Sequence, residues 1–156
     1  MIALGKKTWP RYWSACEHLV DEKRRLQIPA KWLPPEELRD LDHLLMLWQL
    51  AGQERPCLLV LSPPAFEALE QKMSAMAFAD PKAESLRRLI TYDSEIVRPD
   101  TAGRICLPQR FVDEAGIQRK AMLVGMGDRF QIWDPEYYQV IRRQDIARKQ
   151  EAIQLI

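Results

Sequence analysis

The sequence predicts an α+β protein: two tandem, pseudo-symmetric β-hairpin units with short helices, joined by a helical connector. Three observations carry this prediction. A charged and apolar segment near residue 20 recurs near residue 99. Each copy is followed by two apolar, strand-like runs and then by a polar residue with proline, a helix start. The stretch between the halves has helical periodicity instead of alternation.

The recurring segment is Val20–Trp32, which aligns with Pro99–Phe111 at a constant offset of 79. Each copy holds an Asp, an Arg four residues later, apolar residues one and three beyond that Arg, then Pro, a base and an aromatic. Seven coincident positions at one offset exceed what chance supplies. Leu26 and Ile28, and likewise Ile105 and Leu107, alternate with Gln27 and Cys106, the two-residue period of a half-buried strand. Pro29 or Pro108 then ends the strand or sets it at an edge. The Asp-to-Arg segment before each strand reads as a hairpin turn, and Gly103 suits a position with positive φ. Arg24 holds the matching place and adopts that geometry less cheaply, so the first turn is expected to be built differently.

After the first copy come Leu44–Leu47, a polar stretch at Gln53–Arg55, Leu58–Leu61 and Pro63-Pro64. After the second come Ala121–Val124, a Gly-Met-Gly-Asp turn at 125–128, Phe130–Trp133 and Asp134-Pro135. Between the halves, Phe66, Leu69, Met73 and Met76 fall on one face of a helix that follows Pro63-Pro64. Met73 and Met76 read as core filling. A second helix follows Asp80-Pro81, with Leu86, Leu89 and Ile90 apolar. Residues 135–156 are helical by pattern, with Arg142-Arg143 and Arg148-Lys149 on the polar side. The expected divisions are 12–66 for the first unit, 67–92 for the connector, 93–138 for the second unit and 139–156 for a C-terminal helix.

Composition bounds the function. Lys and Arg total 23 against 22 Asp and Glu, a formal charge of +1 that excludes a diffuse, whole-surface polyelectrolyte binder. The balance is uneven, however: residues 1–31 are net +4, residues 32–95 net −5 and residues 96–156 net +2. Two basic ends therefore flank an acidic middle, a pattern that speaks to partners and not to fold. No apolar run is long enough to span a bilayer, so no membrane partner is expected. Met1–Lys7 has its basic pair after a short apolar run and reads as no signal peptide. Cys16, Cys57 and Cys106 are odd in number and widely spaced, which points to a reducing cytoplasm and to neither disulfides nor a metal half-site.

An Asp and an Arg four apart across a tight turn can pair, with the carboxylate also accepting turn amides. An Arg held on such a turn suits phosphate oxygens or the O6/N7 edge of guanine. In the first copy Lys23, Arg24 and Arg25 form a consecutive basic cluster. One copy alone reads as a surface ion pair; two copies on matching hairpins point to a shared surface function. Trp9, Trp13, Trp32, Trp48 and Trp133 could stack on bases, but Trp32, Trp48 and Trp133 lie in strands or strand exits and suit core or subunit packing. His18 and His43 lack ligand partners at metal spacing. Gly125-Met126-Gly127 lacks the third glycine of a dinucleotide fingerprint, and no Walker or nucleophile-elbow sequence occurs. Without a nucleophile–base pair or a metal set, an enzyme finds no support here, and no cofactor is expected.

Taken together, the paired Asp-x-x-x-Arg motifs, each followed by apolar-x-apolar-Pro, resemble the MraZ family of bacterial transcriptional regulators. The segment Glu17–Lys23 is similar to that family's start, and Leu123-Val124-Gly125 with Phe130–Trp133 is similar to its second strand pair. The similarity runs from about Tyr12 to Tyr138. It implies tandem SpoVT/AbrB-like units and a homo-oligomeric ring, an octamer or similar. It also implies a cytoplasmic, nucleoid-associated protein that binds double-stranded DNA at short repeated boxes in the promoter of the division and cell-wall gene cluster. Asp21 and Arg25 match the first signature, Asp100 and Arg104 the second, and Lys23 the basic residue inside the first. The expected DNA contacts are Lys23, Arg24, Arg25 and Arg104, with Asp21, Asp100 and Gly103 structuring the loops. The chain departs from the family where Arg24 and Ser14 replace usual glycines, and the residues before Tyr12 look like an extension. The other reading is an oligomeric scaffold or interaction ring of the same fold without sequence-specific DNA binding.

Overall fold

The structure, a computed structural model, describes residues 9–156. The reading of Met1–Lys7 and most of the N-terminal extension fall outside the described residues. The N-terminal half contains β1 (Ala15–Leu19), β2 (Arg25–Gln27), β3 (His43–Trp48), β4 (Cys57–Leu61) and α1 (Pro63–Ser74). After α2 (Pro81–Tyr92) come β5 (Ser94–Val97), β6 (Arg104–Cys106), α3 (Gln109–Ala115), β7 (Lys120–Gly125), β8 (Arg129–Trp133) and α4 (Pro135–Ala152). The fold is α+β.

Helix starts follow the polar–proline signal. Ser62, Asp80 and Asp134 each cap a helix by accepting a first-turn amide, and Pro63, Pro81 and Pro135 occupy the opening turn, where a missing N–H costs nothing. Six strands form one antiparallel sheet in the order β1-β7-β8-β4-β3-β5, and β2 pairs with β6 as a separate ribbon. The order reads the same from either end when β1 exchanges with β5, β7 with β3 and β8 with β4. The two halves interleave, because β1 pairs with β7, β5 with β3 and β2 with β6.

The main core lies between one sheet face and the ribbon. Leu26 faces Ile105 across the ribbon, and both are fully buried together with Leu107 and Phe130. Trp32 and Tyr12 pack on Phe130 at 5.2 and 5.0 Å between ring centroids. The predicted two-residue alternation therefore anchors the ribbon, each buried aliphatic contributing roughly 1.5–3 kcal/mol. On the other sheet face, α1 covers Leu44, Met46, Leu59 and Leu61, while α4 packs through Tyr137 and Ile141 on Trp133 and Cys57.

Several expectations are corrected. Met73 and Met76 belong to no core cluster; both are half-buried, and their carbonyls accept from Arg87 of α2. Trp48, at the end of β3, is exposed, which removes core packing and leaves only the subunit-packing alternative for it. Leu86, Leu89 and Ile90 of α2, for which the sequence made no burial claim, divide: Ile90 packs on the sheet, whereas Leu86 and Leu89 are exposed. The edge strands β1 and β5 and the short α3 carry little apolar alternation, and sequence pattern did not reveal them.

Candidate functional site

The two Asp-to-Arg turns are built alike, which corrects the expectation for the first. In each, the Asp amide donates to the Arg carbonyl four residues on (3.1 Å for Asp21, 2.8 Å for Asp100). In each, the residue before Arg returns its amide to the Asp carbonyl at 2.9 Å. That residue is left-handed in both, with φ 60° at Arg24 and 83° at Gly103. The physical reason is that the surrounding bonds over-determine the turn, so Arg24 is held in a conformation that costs a non-glycine residue about 1 kcal/mol.

The carboxylates complete the loops. Asp21 Oδ1 accepts from the amides of Lys23 (2.9 Å) and Arg25 (2.8 Å), and its Oδ2 accepts from Arg25 Nε at 2.7 Å. Asp100 repeats the pattern with Ala102 (3.0 Å), Arg104 (2.9 Å) and Arg104 Nε (2.9 Å). The Arg25 amide is the largest influence on the Asp21 carboxyl and holds it below the usual carboxylate range. Burial pushes the Asp100 carboxyl up, but the bonds from Arg104 outweigh it and leave that group lowered too.

The ribbon then brings the loops together. Arg25 stands opposite Cys106 and Gln27 opposite Arg104. These four share the face turned away from Leu26 and Ile105, because successive side chains alternate. Arg25 and Arg104 are diagonal neighbours, about 7–8 Å apart along the backbone. Both use Nε on their Asp, and among the described residues neither terminal nitrogen of either arginine has an intramolecular bond. Two guanidinium forks are thus fixed at the base and open at the tip.

Two latches tie each loop to the opposite strand, and sequence reasoning missed both. The Leu107 amide donates to the Arg24 carbonyl (2.8 Å) and the Ile28 amide to the Gly103 carbonyl (3.0 Å). The Gln27 side-chain amide donates to the Ala102 carbonyl at 2.9 Å, and the Cys106 thiol sits 3.5 Å from the Lys23 carbonyl. The only sequence signal was that Gln27 and Cys106 fill matching outward positions at the offset of 79. Arg24 also donates from Nε to the Leu107 carbonyl (2.9 Å), so part of its fork is spent inside the molecule. Lys23 is exposed at the loop tip. Gly103 is buried, and a Cβ there would lie 2.8 Å from Leu33 Cδ1.

Among the described residues no group of three or more His, Cys, Asp or Glu is placed to hold a metal ion, and no helix is long and apolar enough to cross a membrane. His43 is buried against Trp9 with Nδ1 3.0 Å from the Leu41 carbonyl, and burial pushes its pKa down to about 4. The ribbon face, by contrast, is a narrow two-stranded surface of a kind that a DNA major groove admits.

A family model described as “MraZ protein, putative antitoxin-like” matches residues 93–154. The chain is 33% identical to the protein named transcriptional regulator MraZ of Marinobacter nauticus, over 75% of this chain and 77% of that one. It is 34% identical to the protein of the same name from Thermomicrobium roseum, over 76% of this chain and 78% of the other. The corresponding Coxiella burnetii protein is 31% identical over 83% of this chain and 84% of its own.

Proposed function

The chain belongs to the MraZ family, and from that premise we propose that it is a sequence-specific DNA-binding transcriptional regulator. Relatives named as transcriptional regulators favour that role over an enzyme. The observation that carries the reading is the ribbon face: Arg25 and Arg104 side by side, each locked through Nε and open at its terminal nitrogens. A preorganised fork loses little side-chain entropy on meeting a phosphate or a guanine edge.

In this reading Arg25 and Arg104 contact base edges or phosphates, with Lys23 and the unspent part of Arg24 adding phosphate contacts. Asp21, Asp100 and Gly103 shape the loops. The repeat boundaries 12–66, 67–92, 93–138 and 139–156 are kept as proposed units, the two larger ones SpoVT/AbrB-like. The partner is double-stranded DNA carrying short repeated promoter boxes of the division and cell-wall gene cluster. The protein acts as a homo-oligomeric ring, an octamer or similar, in the cytoplasm at the nucleoid, and needs no cofactor.

The test is fluorescence anisotropy on the protein's own upstream region with the Arg25→Ala/Arg104→Ala variant. Specific binding should be lost while the assembled mass stays unchanged. Undiminished binding would remove the ribbon from the reading. A second reading, a scaffold or interaction ring without sequence-specific binding, draws on the pairing of each arginine with its own aspartate. Absence of any retention at low salt by the wild-type protein would favour it.

A further inference from the structure

The internal symmetry exposes an unfilled position. Strand register makes Leu44 the counterpart of Met122, because Leu44 pairs with Leu61 and Met122 with Trp133, the residues just before the caps of α1 and α4. Met46 and Val124 correspond in the same way. In the N-terminal half Leu44 and Met46 are 6% exposed, covered by α1 and by Ile90 of α2. In the C-terminal half Met122 and Val124 are only half-buried under α4. No described helix takes α2's place there. What remains is a cleft of about 500 Å³ lined by Ala15, Met122, Val124, Tyr138, Gln139 and Arg142.

We propose that α2 of a second copy of this chain fills that cleft, through an outer stripe of Leu89 and Tyr92. Three features favour this occupant. The same helix covers the symmetry-related surface within the chain, so a helix is the shape the slot fits. Leu89 and Tyr92 are 64% and 74% exposed on the side of α2 that the chain leaves bare. Arg110 lies 4.5 Å from the Tyr92 ring centroid, which fixes that ring as a rigid aromatic anchor. Exposed Arg88 flanks the stripe; the cleft itself holds Arg142, and exposed Glu17, opposite Met122 on β1, is the acid that Arg88 would meet. The helix sits beside β5 and the cleft beside β1, at opposite edges of the sheet. Contact between them is head-to-tail, which closes into a ring when the rotation permits. The inference rests on the self-assembly in the preceding reading and not on its DNA contacts.

Light scattering coupled to size exclusion tests it on the full chain. Leu89→Glu/Tyr92→Glu removes the inserted stripe, and Ala15→Arg/Gln139→Arg fills the cleft. Each variant should fall to the mass of one chain with unchanged far-UV circular dichroism. Mixed in equal amounts they should form a dimer, since each retains the half the other lacks. A monomeric wild type, wild-type mass in either variant, or no dimer on mixing overturns the interface. Should a variant fail to fold, the exposed pair Arg88→Glu and Glu17→Arg decides: each single change should weaken assembly and the combination restore it, and no effect from either refutes the contact. DNA binding by the Arg25→Ala/Arg104→Ala variant is read separately from mass, so failure of the interface and failure of the DNA reading are told apart.

Discussion

Ser14 and Arg24 stand in left-handed backbone, φ 78° and 60°, and substitutions there have a sign that follows from the geometry. The Ser14 carbonyl accepts the Gly125 amide at 2.9 Å, where the backbones cross so closely that a Cβ on Gly125 would lie 2.4 Å from the Tyr12 carbonyl oxygen. The crossing imposes the left-handed turn on a residue whose exposed side chain makes no hydrogen bond among those described. Releasing that strain with Ser14→Gly gains about 1–2 kcal/mol. The extra freedom of glycine in the unfolded chain takes back about 0.4–1 kcal/mol. The net is a stabilisation of about 0.5–1 kcal/mol, or roughly 1–4 °C in Tm. Ser14→Ala keeps a Cβ and the strain, so it should fall below the glycine variant by that amount. Were φ negative, the order would invert, because alanine then gains about 0.4–1 kcal/mol over glycine. Urea unfolding followed by tryptophan fluorescence, at one fixed protein concentration, measures the difference. An alanine variant more stable than the glycine variant would refute the left-handed assignment.

Further outcomes follow from the same structure. Gly103→Ala adds left-handed strain and presses on Leu33 and Gln27, so urea unfolding should show a loss of about 1–3 kcal/mol, whereas Arg24→Gly trades strain for the bond to Leu107 and should stay within about 1 kcal/mol of wild type. His43 is held neutral by burial with its pKa pushed down to about 4, so its contribution is complete above about 6.5 and is lost as pH falls toward 4, on the order of 3 kcal/mol in all. Chemical denaturation across that range should show the slope in wild type and a flatter line in His43→Gln. The Asp21 and Asp100 carboxyls lie below their ordinary range, so their contribution holds above about 4 and disappears below it. Protection of the Lys23, Arg25, Ala102 and Arg104 amides against hydrogen exchange, taken relative to the intrinsic rate at each pH, should fall on that further acidification. Cys106 is exposed on the ribbon face whereas Cys57 is buried, so bound DNA should slow alkylation of Cys106; an unchanged rate would place DNA elsewhere.

The ribbon was legible because its alternation sits within a repeat of constant offset: Leu26, Ile28, Ile105 and Leu107 all point inward as their spacing requires. The helix caps were legible because a polar residue before proline has few other uses. The built-in likeness of the two turns was not. Propensity at Arg24 argued against a left-handed residue, and only the bonds from Asp21 and Leu107, invisible in a linear pattern, overrule it. Nor could pattern show that the halves interleave. β1 contains Cys16, Glu17 and His18, and its place beside β7 is set by backbone pairing rather than by an apolar face. Met73 and Met76 misled for the converse reason: their spacing is helical, but the face they share extends past the sheet residues that Phe66 and Leu69 pack against.

A formal charge of +1 is compatible with this face because of how each aspartate is spent. Oδ1 is committed to backbone amides and Oδ2 to Nε, so the carboxylates shape the loops while the arginine tips stay outward. Contact with DNA then requires no bond inside the loop to break. On the proposed reading one chain offers few cations, Lys23, Arg25 and Arg104 with part of Arg24. Three or four phosphate contacts correspond to a log–log salt slope of only about −3 to −4. That is a weak hold for one chain, so the proposed reading draws its affinity from several chains engaging repeated boxes together. On that reading the proposed α2-to-cleft contact and the ribbon face would be coupled in function though separate in space. A monomeric Leu89→Glu/Tyr92→Glu variant keeps its ribbon intact yet should bind a multi-box fragment at least tenfold more weakly than wild type, and should bind a single box equally well.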